Sequence, residues 1–241
     1  RLTMKKLLLI LLCLPLLTLA QQTYVPDDNF EAYLEMNDEY GNLSQWPNTM
    51  GDGILNNDSV LTANINTVTA LYMSGGNIYD LTGVEDFTSL TLLDCSGNWL
   101  TTLDVASNTN LTHLECHSNN LITLDLTDNI ALAFLRCGFN DITSLNVSNN
   151  TLLTTLYCYS NYLLTSLDVR NGNNFNFNLF FALGNPNLSC ISVDDSVYST
   201  NNWTTDIDPQ HYFSNNCSGI TDIEEYTTNK ELLKVTDLLG R

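Results

Sequence analysis

Basic residues are scarce in this 241-residue chain: eight lysines and arginines stand against 27 acidic residues, and the formal net charge is −19. Between residues 21 and 217 only Arg136 and Arg170 are basic. A surface this acidic repels phosphate backbones and anionic lipid, so the composition disfavours nucleic acid and membrane surfaces as partners. The same charge favours solubility and tolerates bound cations.

Histidine is also scarce, with three residues in the chain. An active site of the acid–base type needs a base, a nucleophile and an orienting partner, and no motif here assembles that set. We therefore predict that the chain is not an enzyme and that it carries no cofactor.

A long apolar run is the third absence. The single candidate, MKKLLLILLCLPLLTLA from Met4 to Ala20, has two lysines before a short apolar stretch and small residues at its end. It is too short for a membrane span and is typical of a secretory signal peptide. We assign residues 1–20 to this signal, with residues 1–3 as an upstream scar. The mature protein is then secreted or on the outer cell surface, with no membrane insertion.

What the sequence does contain is a repeat. Four units in register share the frame L-x-x-L-x-C-x-x-N-x-L-x-x-L-[DN]-[VL], and their cysteines recur every 21 residues. A degenerate unit with Met73 in the cysteine position precedes them, and another with Leu183 assigned to that position follows. The cysteines of the four units are Cys95, Cys116, Cys137 and Cys158. About six coils are therefore predicted over residues 60–193.

The residues of one unit also predict its local structure. Leu93 and Cys95 alternate with Leu92 and Asp94, which indicates a short β-strand. A lone unit buries too little apolar surface to offset the entropy of ordering 21 residues, so the units must fold as a stack. Strands of successive units then lie in parallel, about 4.8 Å apart.

This frame resembles leucine-rich repeats, and its 21-residue form with a cysteine in the strand resembles secreted repeats of Bacteroidetes. The resemblance implies an α/β-type solenoid, mostly β, with a parallel concave sheet and a short N-terminal helical cap. The segment IEEYTTNKELLKVTDLLGR, residues 223–241, resembles the start of a type IX secretion sorting segment. We therefore expect residues 218–241 to be a linker and an incomplete sorting segment of a longer protein.

Both ends of the stack need covers. Residues 24–40 have helical apolar spacing and belong to a predicted N-terminal cap, 21–59, in which GDGILNND (51–58) is a glycine-rich turn. At the other end we predict a cap over residues 194–217. In an oxidising compartment Cys190 and Cys217 are expected to form a disulfide that closes it.

The four repeated cysteines are predicted to be structural core thiols. The same position holds Met73 and, in the predicted alignment, Leu183, neither of which replaces a thiolate, so cysteine there acts as a small apolar residue. A metal needs converging ligands, and a single column does not converge. Disulfides along the column are also disfavoured, because adjacent strands hold Cβ atoms about 4.8 Å apart and a bridge needs about 3.8 Å. Both remain as the less favoured alternatives.

Two polar columns follow the cysteines. The first is predicted to bond the backbone of the turns, a structural role; its members are Asn98, Asn119, Asn140 and Asn161. The second lies on the return side and is predicted to be a solvated face, with Ca²⁺ binding as an open alternative that needs six to eight oxygens. Its members are Asp104, Asp125, Asn146 and Asp168.

The positions that flank the buried strand residues vary most between units, as expected of a recognition surface. The predicted ligand-binding residues of this concave face are Asp94, His113, Glu115, His117, Phe134, Arg136, Tyr157 and Tyr159. Two of His113, Glu115 and His117 are close enough to share a zinc ion, but an exposed polar strand explains them as well, so we assign no metal.

We therefore predict a secreted or cell-surface module that recognises a protein or a glycan through its concave sheet. Two alternatives remain. The chain is either a structural spacer or surface-layer element without a specific ligand, or an accessory domain of a larger secreted enzyme.

Overall fold

The computed structural model describes residues 20–217. Residues 1–19 of the predicted signal peptide and all of the predicted linker and sorting segment, 218–241, lie outside the described residues. Within the described range, no helix has the length and apolar character needed to cross a bilayer.

The described chain is built from short strands with a helical element at each end. In chain order the strands and α-helices are β1 (Gln22–Tyr24), α1 (Asp28–Met36), β2 (Ser59–Leu61), α2 (Thr62–Ile65), β3 (Ala70–Tyr72), β4 (Leu92–Asp94), β5 (His113–Glu115), β6 (Phe134–Arg136), β7 (Ser144–Asn146), β8 (Thr155–Tyr157), β9 (Ser166–Asp168), β10 (Leu179–Phe181), β11 (Cys190–Ser192), α3 (Ser196–Asn202) and β12 (Tyr212–Ser214). Two 3₁₀ turns, Val84–Asp86 and Asn174–Asn176, lie on the return side of their coils.

Two parallel sheets enclose the core. The larger has six strands in the order β10-β8-β6-β5-β4-β3, and the smaller has four in the order β12-β11-β9-β7. The larger sheet takes one strand from each of six coils, and the middle residue of every strand is buried. The predicted solenoid with a parallel sheet is confirmed, and with the last turn through β12 it has about seven turns rather than six.

The repeated cysteines face the interior. Cys95, Cys116, Cys137 and Cys158 are completely buried and unbridged. Burial raises the pKa of all four thiols, that of Cys158 to about 12. They fill a column between the two sheets as small apolar groups.

The last coil differs from the prediction. Phe181 pairs with Tyr157, so Ala182 continues the cysteine column and is completely buried, whereas Leu183 is 40% exposed. The assignment of Leu183 to the cysteine position was therefore wrong by one residue. The segment before β10 is longer than in the earlier coils, which shifts the alignment of the repeat. As a result the small Ala182 follows the bulky Phe180 into the interior.

Asparagine side chains join successive coils. Asn98, Asn119, Asn140 and Asn161 are buried, and each donates its amide to the carbonyl oxygen of the column residue in its own coil and in the coil before it. A second ladder on the return side donates its amides to carbonyl oxygens of the preceding coil, and its members are Asn108, Asn129, Asn150 and Asn171. These bonds satisfy backbone groups that the short strands leave without partners.

Helix α1 closes the N-terminal end. Asp27 accepts hydrogen bonds from the N–H groups of Asn29 and Phe30, which caps the helix. One turn apart on the buried side, Glu31 accepts from the N–H groups of the loop at Asn57 and Asp58, and Glu35 accepts from those at Asp52 and Gly53.

The GDGILNND segment is therefore a turn whose backbone N–H groups bond the buried carboxylates of Glu31 and Glu35. A Cβ atom at Gly51 would lie 2.0 Å from the carboxyl group of Glu35, so the close approach requires glycine. Burial raises the pKa of Glu35.

The C-terminal end is closed by α3 and an aromatic cluster. Trp203 lies 4.5 Å from Phe180 and 5.8 Å from Phe213 between ring centroids, and all three are largely buried. The predicted disulfide between Cys190 and Cys217 is present, with its Cα atoms 5.7 Å apart. It ties the last described residue to β11.

Candidate binding face

The face of the six-stranded sheet that points away from the core is the candidate site, and we call it the open face. It carries the first and third residue of each strand and the residue two positions further on. All eight predicted ligand-binding residues are half-buried, and they lie on strands β4, β5, β6 and β8 or just after their ends. The strand register brings Asp94, Glu115, Arg136 and Tyr157 into one row.

Glu115 is the electrostatic centre of this row. Its Oε1 lies 3.4 Å from Nε2 of His113, and its Oε2 lies 3.7 Å from Nε2 of His117. The same Oε2 accepts a hydrogen bond from Nη1 of Arg136 on the next strand, at 3.4 Å. One carboxylate is thus surrounded by three nitrogen-bearing side chains, and its charge is matched locally although the protein as a whole is strongly acidic.

Arg136 is held from the other side by Tyr159. Its Nη2 and Nε donate to the phenolic oxygen at 3.0 and 3.3 Å. This bond and the nearby Glu115 raise the pKa of Arg136. The guanidinium group also lies 5.9 Å from the centroid of the Tyr157 ring, within cation–π range.

Gly138 makes room for Tyr159. A Cβ atom at Gly138 would lie 2.7 Å from the carbonyl oxygen of Tyr159 and 3.1 Å from its ring. Any larger residue would displace the ring and with it the acceptor of Arg136. The sequence of a single unit does not indicate that Gly138 creates this space.

Aromatic rings stack across the strands. His113 lies on Phe134 with ring centroids 3.9 Å apart, and Tyr157 lies on Phe181 at 4.9 Å, both pairs with interplanar angles below 10°. The rings therefore turn their faces toward one another and present their edges and polar atoms outward. Phe181 was not among the predicted site residues, because the wrong alignment at Leu183 placed it elsewhere.

His117 sits deeper than His113. Burial is the main cause that lowers the pKa of His117, and the positive charge of Arg136 adds to it, while Glu115 and Asp94 act in the opposite direction. Its Nδ1 forms a hydrogen bond with the hydroxyl of Ser118, at 3.1 Å.

The zinc alternative for His113, Glu115 and His117 gains little from this geometry, because Arg136 already occupies one carboxylate oxygen. Among residues 20–217, the acidic and imidazole groups whose ligand atoms all lie within 4.8 Å of one another are Asp28, Glu31 and Asp58, in the N-terminal cap. Glu31 in that group already accepts two backbone hydrogen bonds.

The predicted return-side column has a local structural role. Asp104, Asp125, Asn146 and Asp168 each accept a hydrogen bond from the backbone N–H two residues further on, at 2.9 to 3.1 Å. These are Asx turns that start the return segment of each coil. Asp104 and Asp125 also line an acidic hollow of about 590 Å³.

Comparisons with known proteins give fold-level likenesses. No family model matches the chain, and no curated protein matches it. The functional domain of InlJ from Listeria monocytogenes, which includes a cysteine ladder, is 29% identical with a TM-score of 0.47, over 72% of this chain and 38% of that one.

Two internalins of the same species are also similar. InlF is 18% identical with a TM-score of 0.47, over 79% of this chain and 56% of that one. Internalin C2 is 17% identical with a TM-score of 0.31, over 68% of this chain and 97% of that one. The chain thus spans well under two thirds of the length of the first two structures.

Proposed function

We propose that this chain is a binding module, secreted or displayed on the outer cell surface, and that its open face recognises another protein. The observation that carries the proposal is the network of Glu115, Arg136 and Tyr159 on coils that are otherwise near copies. A solenoid needs identical interior residues but imposes no choice on the open face. Different side chains there that nevertheless interlock form a pre-organised surface.

The orientation of the rings favours a polypeptide ligand over a glycan at this face. Sugar rings stack on exposed aromatic faces, whereas each ring of the pairs His113–Phe134 and Tyr157–Phe181 has one face covered by its partner. Ring edges, a guanidinium group, a phenol and a carboxylate are left outward. Such amphipathic groups dominate the centres of protein–protein interfaces.

The net charge of the chain indicates that the partner protein is basic. A net charge of −19 steers basic partners toward it and repels acidic ones. The association rate should therefore fall as salt is added, while the contacts made by the open face set the dissociation rate.

The test is a binding screen against extracellular proteins by surface plasmon resonance. The variant Arg136→Ala/Tyr157→Ala/Tyr159→Ala should lose binding to any partner found. A matched control is Ile122→Ala/Tyr162→Ala/Leu163→Ala, three exposed residues away from the open face, and it should bind as the wild type does. Binding that survives the first triple substitution would rule out the open face as the site.

The spacer alternative makes the opposite prediction. A structural element without a ligand would yield no saturable partner in the same screen, and the open-face triple variant would be indistinguishable from the control. If the chain is instead an accessory domain of a larger secreted enzyme, its partner would be a neighbouring domain of that enzyme.

A further inference from the structure

Tyr79 and Trp99 form a separate exposed aromatic pair outside the open face. They lie on the turns that follow β3 and β4, and they are 62% and 51% exposed. Their rings are nearly parallel, with an interplanar angle of 13° and centroids 6.2 Å apart. More than half of each side chain is therefore accessible, in two neighbouring large rings.

The rings of this pair are offset and overlap less than the stacked rings of the open face. Parallel rings in direct contact bring carbon atoms to about 3.5–4.0 Å, as His113 and Phe134 do with centroids 3.9 Å apart. A centroid distance of 6.2 Å at a similar angle means that Tyr79 and Trp99 overlap little. Their high exposure agrees, so ring surface is available to a ligand.

The backbone under the pair is fixed from both sides. The N–H of Trp99 donates to the carbonyl of Ile78 at 2.9 Å, next to Tyr79. The N–H groups of Tyr79 and Asp80 donate to the carboxylate of Asp27, the residue that also caps α1, at 2.7 and 3.1 Å. A ligand therefore meets a pair whose main chain is already ordered, which reduces the entropy cost of binding.

We propose that Tyr79 and Trp99 form a platform for a neutral glycan of pyranose units whose hydroxyls are equatorial. Such a sugar exposes only C–H groups on the flat sides of its ring, and these are attracted to the negative face of an aromatic ring. Uronic acid or sulfated glycans are disfavoured, because Asp80 follows Tyr79 in the chain and the chain as a whole carries a net charge of −19. This site is independent of the protein-binding proposal for the open face.

Isothermal titration calorimetry of the full chain with cellohexaose and with N-acetylchitohexaose tests the platform. At least one of these neutral oligosaccharides should bind. Trp99→Ala and Tyr79→Ala should each weaken its affinity by about tenfold, the loss of one aromatic contact, while Trp99→Phe should keep most of it. Cellouronate, an anionic comparison with the same equatorial hydroxyls as cellohexaose, should bind more weakly than the better neutral ligand.

Tyr162→Ala is the matched control, since Tyr162 is a single exposed tyrosine at 58% exposure on a later turn, and it should leave the affinity unchanged. Thermal unfolding of each variant shows whether its fold is intact. The proposal is overturned if neither neutral oligosaccharide binds, or if one binds equally well to the wild type and to folded Trp99→Ala. Loss of partner binding by the open-face triple variant would have no bearing on it.

Discussion

The side-chain amide of Asn119 donates to the carbonyl oxygens of Cys95 and Cys116, at 3.0 and 3.1 Å, and so joins two successive coils. Its carbonyl oxygen accepts from the N–H of Leu100 at 3.0 Å. The amide also donates to the carbonyl oxygen of His117, at 3.4 Å, so four backbone groups at the turn after the strand depend on one buried side chain. The ladder of asparagines is as much a part of the core as the leucines are.

Replacing this residue should be costly. Asn119→Ala leaves buried backbone groups without partners, and we expect the free energy of unfolding to fall by about 3 kcal/mol. Chemical denaturation measures it. The neighbouring Asn120 is exposed, so Asn120→Ala should change stability by less than about 0.5 kcal/mol. Equal effects of the two substitutions would show that the ladder contributes little.

The four core thiols should resist alkylation. The thiolate is the reactive form, and burial both raises the pKa of these groups and blocks the reagent, as at Cys158 with its pKa of about 12. Iodoacetamide should therefore add no mass at these four residues in the native protein and label all of them after denaturation in guanidinium chloride. Rapid labelling under native conditions would place the thiols at the surface.

Opening the disulfide should loosen the C-terminal cap. Cys190 and Cys217 are 27 residues apart, and a loop of that length predicts a loss of about 3.5 kcal/mol when the double variant Cys190→Ala/Cys217→Ala replaces the pair. Denaturant titration with and without a reductant measures the change. Reductant should have no further effect on the double variant, and a wild type that is insensitive to reductant would contradict the prediction.

Stability should decline on mild acidification, in part through His117. Burial lowers the pKa of His117 in the folded state below its unfolded value of about 6.5, so the unfolded chain binds more protons as the pH falls through that window. The melting temperature should therefore drop between about pH 7.5 and about pH 5.5. This drop should be smaller in His117→Gln, and an unchanged drop would show that His117 does not contribute.

Much of the architecture is predictable because one pattern recurs in four nearly identical units. The spacing of the cysteines gives the strand register, and the residues around Leu93 and Cys95 give the alternation of buried and exposed positions. The disulfide between Cys190 and Cys217 is confirmed, and the asparagines after the strands bond the backbone of the turns, as their position indicates.

The parts that escaped prediction lie where the repeat is broken. Because the sixth coil is longer, the repeat pattern did not predict that Ala182 rather than Leu183 enters the core. For the same reason it did not predict that Phe181 lies on the open face. The second asparagine ladder, which includes Asn129, is an exception, because its members recur every 21 residues and the spacing itself indicates a shared role. The contact of Gly138 with Tyr159 depends on two neighbouring coils at once, which no single unit reveals.

The inter-coil amide bonds constrain where the chain length can vary. Successive column residues are 22, 21, 21, 21 and 24 positions apart from Met73 to Ala182, and Asn185 still donates to the carbonyl of Cys158 across the longest interval. Extra residues are accommodated on the return side, while the six-stranded sheet keeps its register. Unequal recombination that adds or removes a whole coil would leave the asparagine bonds between the remaining coils intact. The number of coils can therefore change during evolution while the open-face residues diversify.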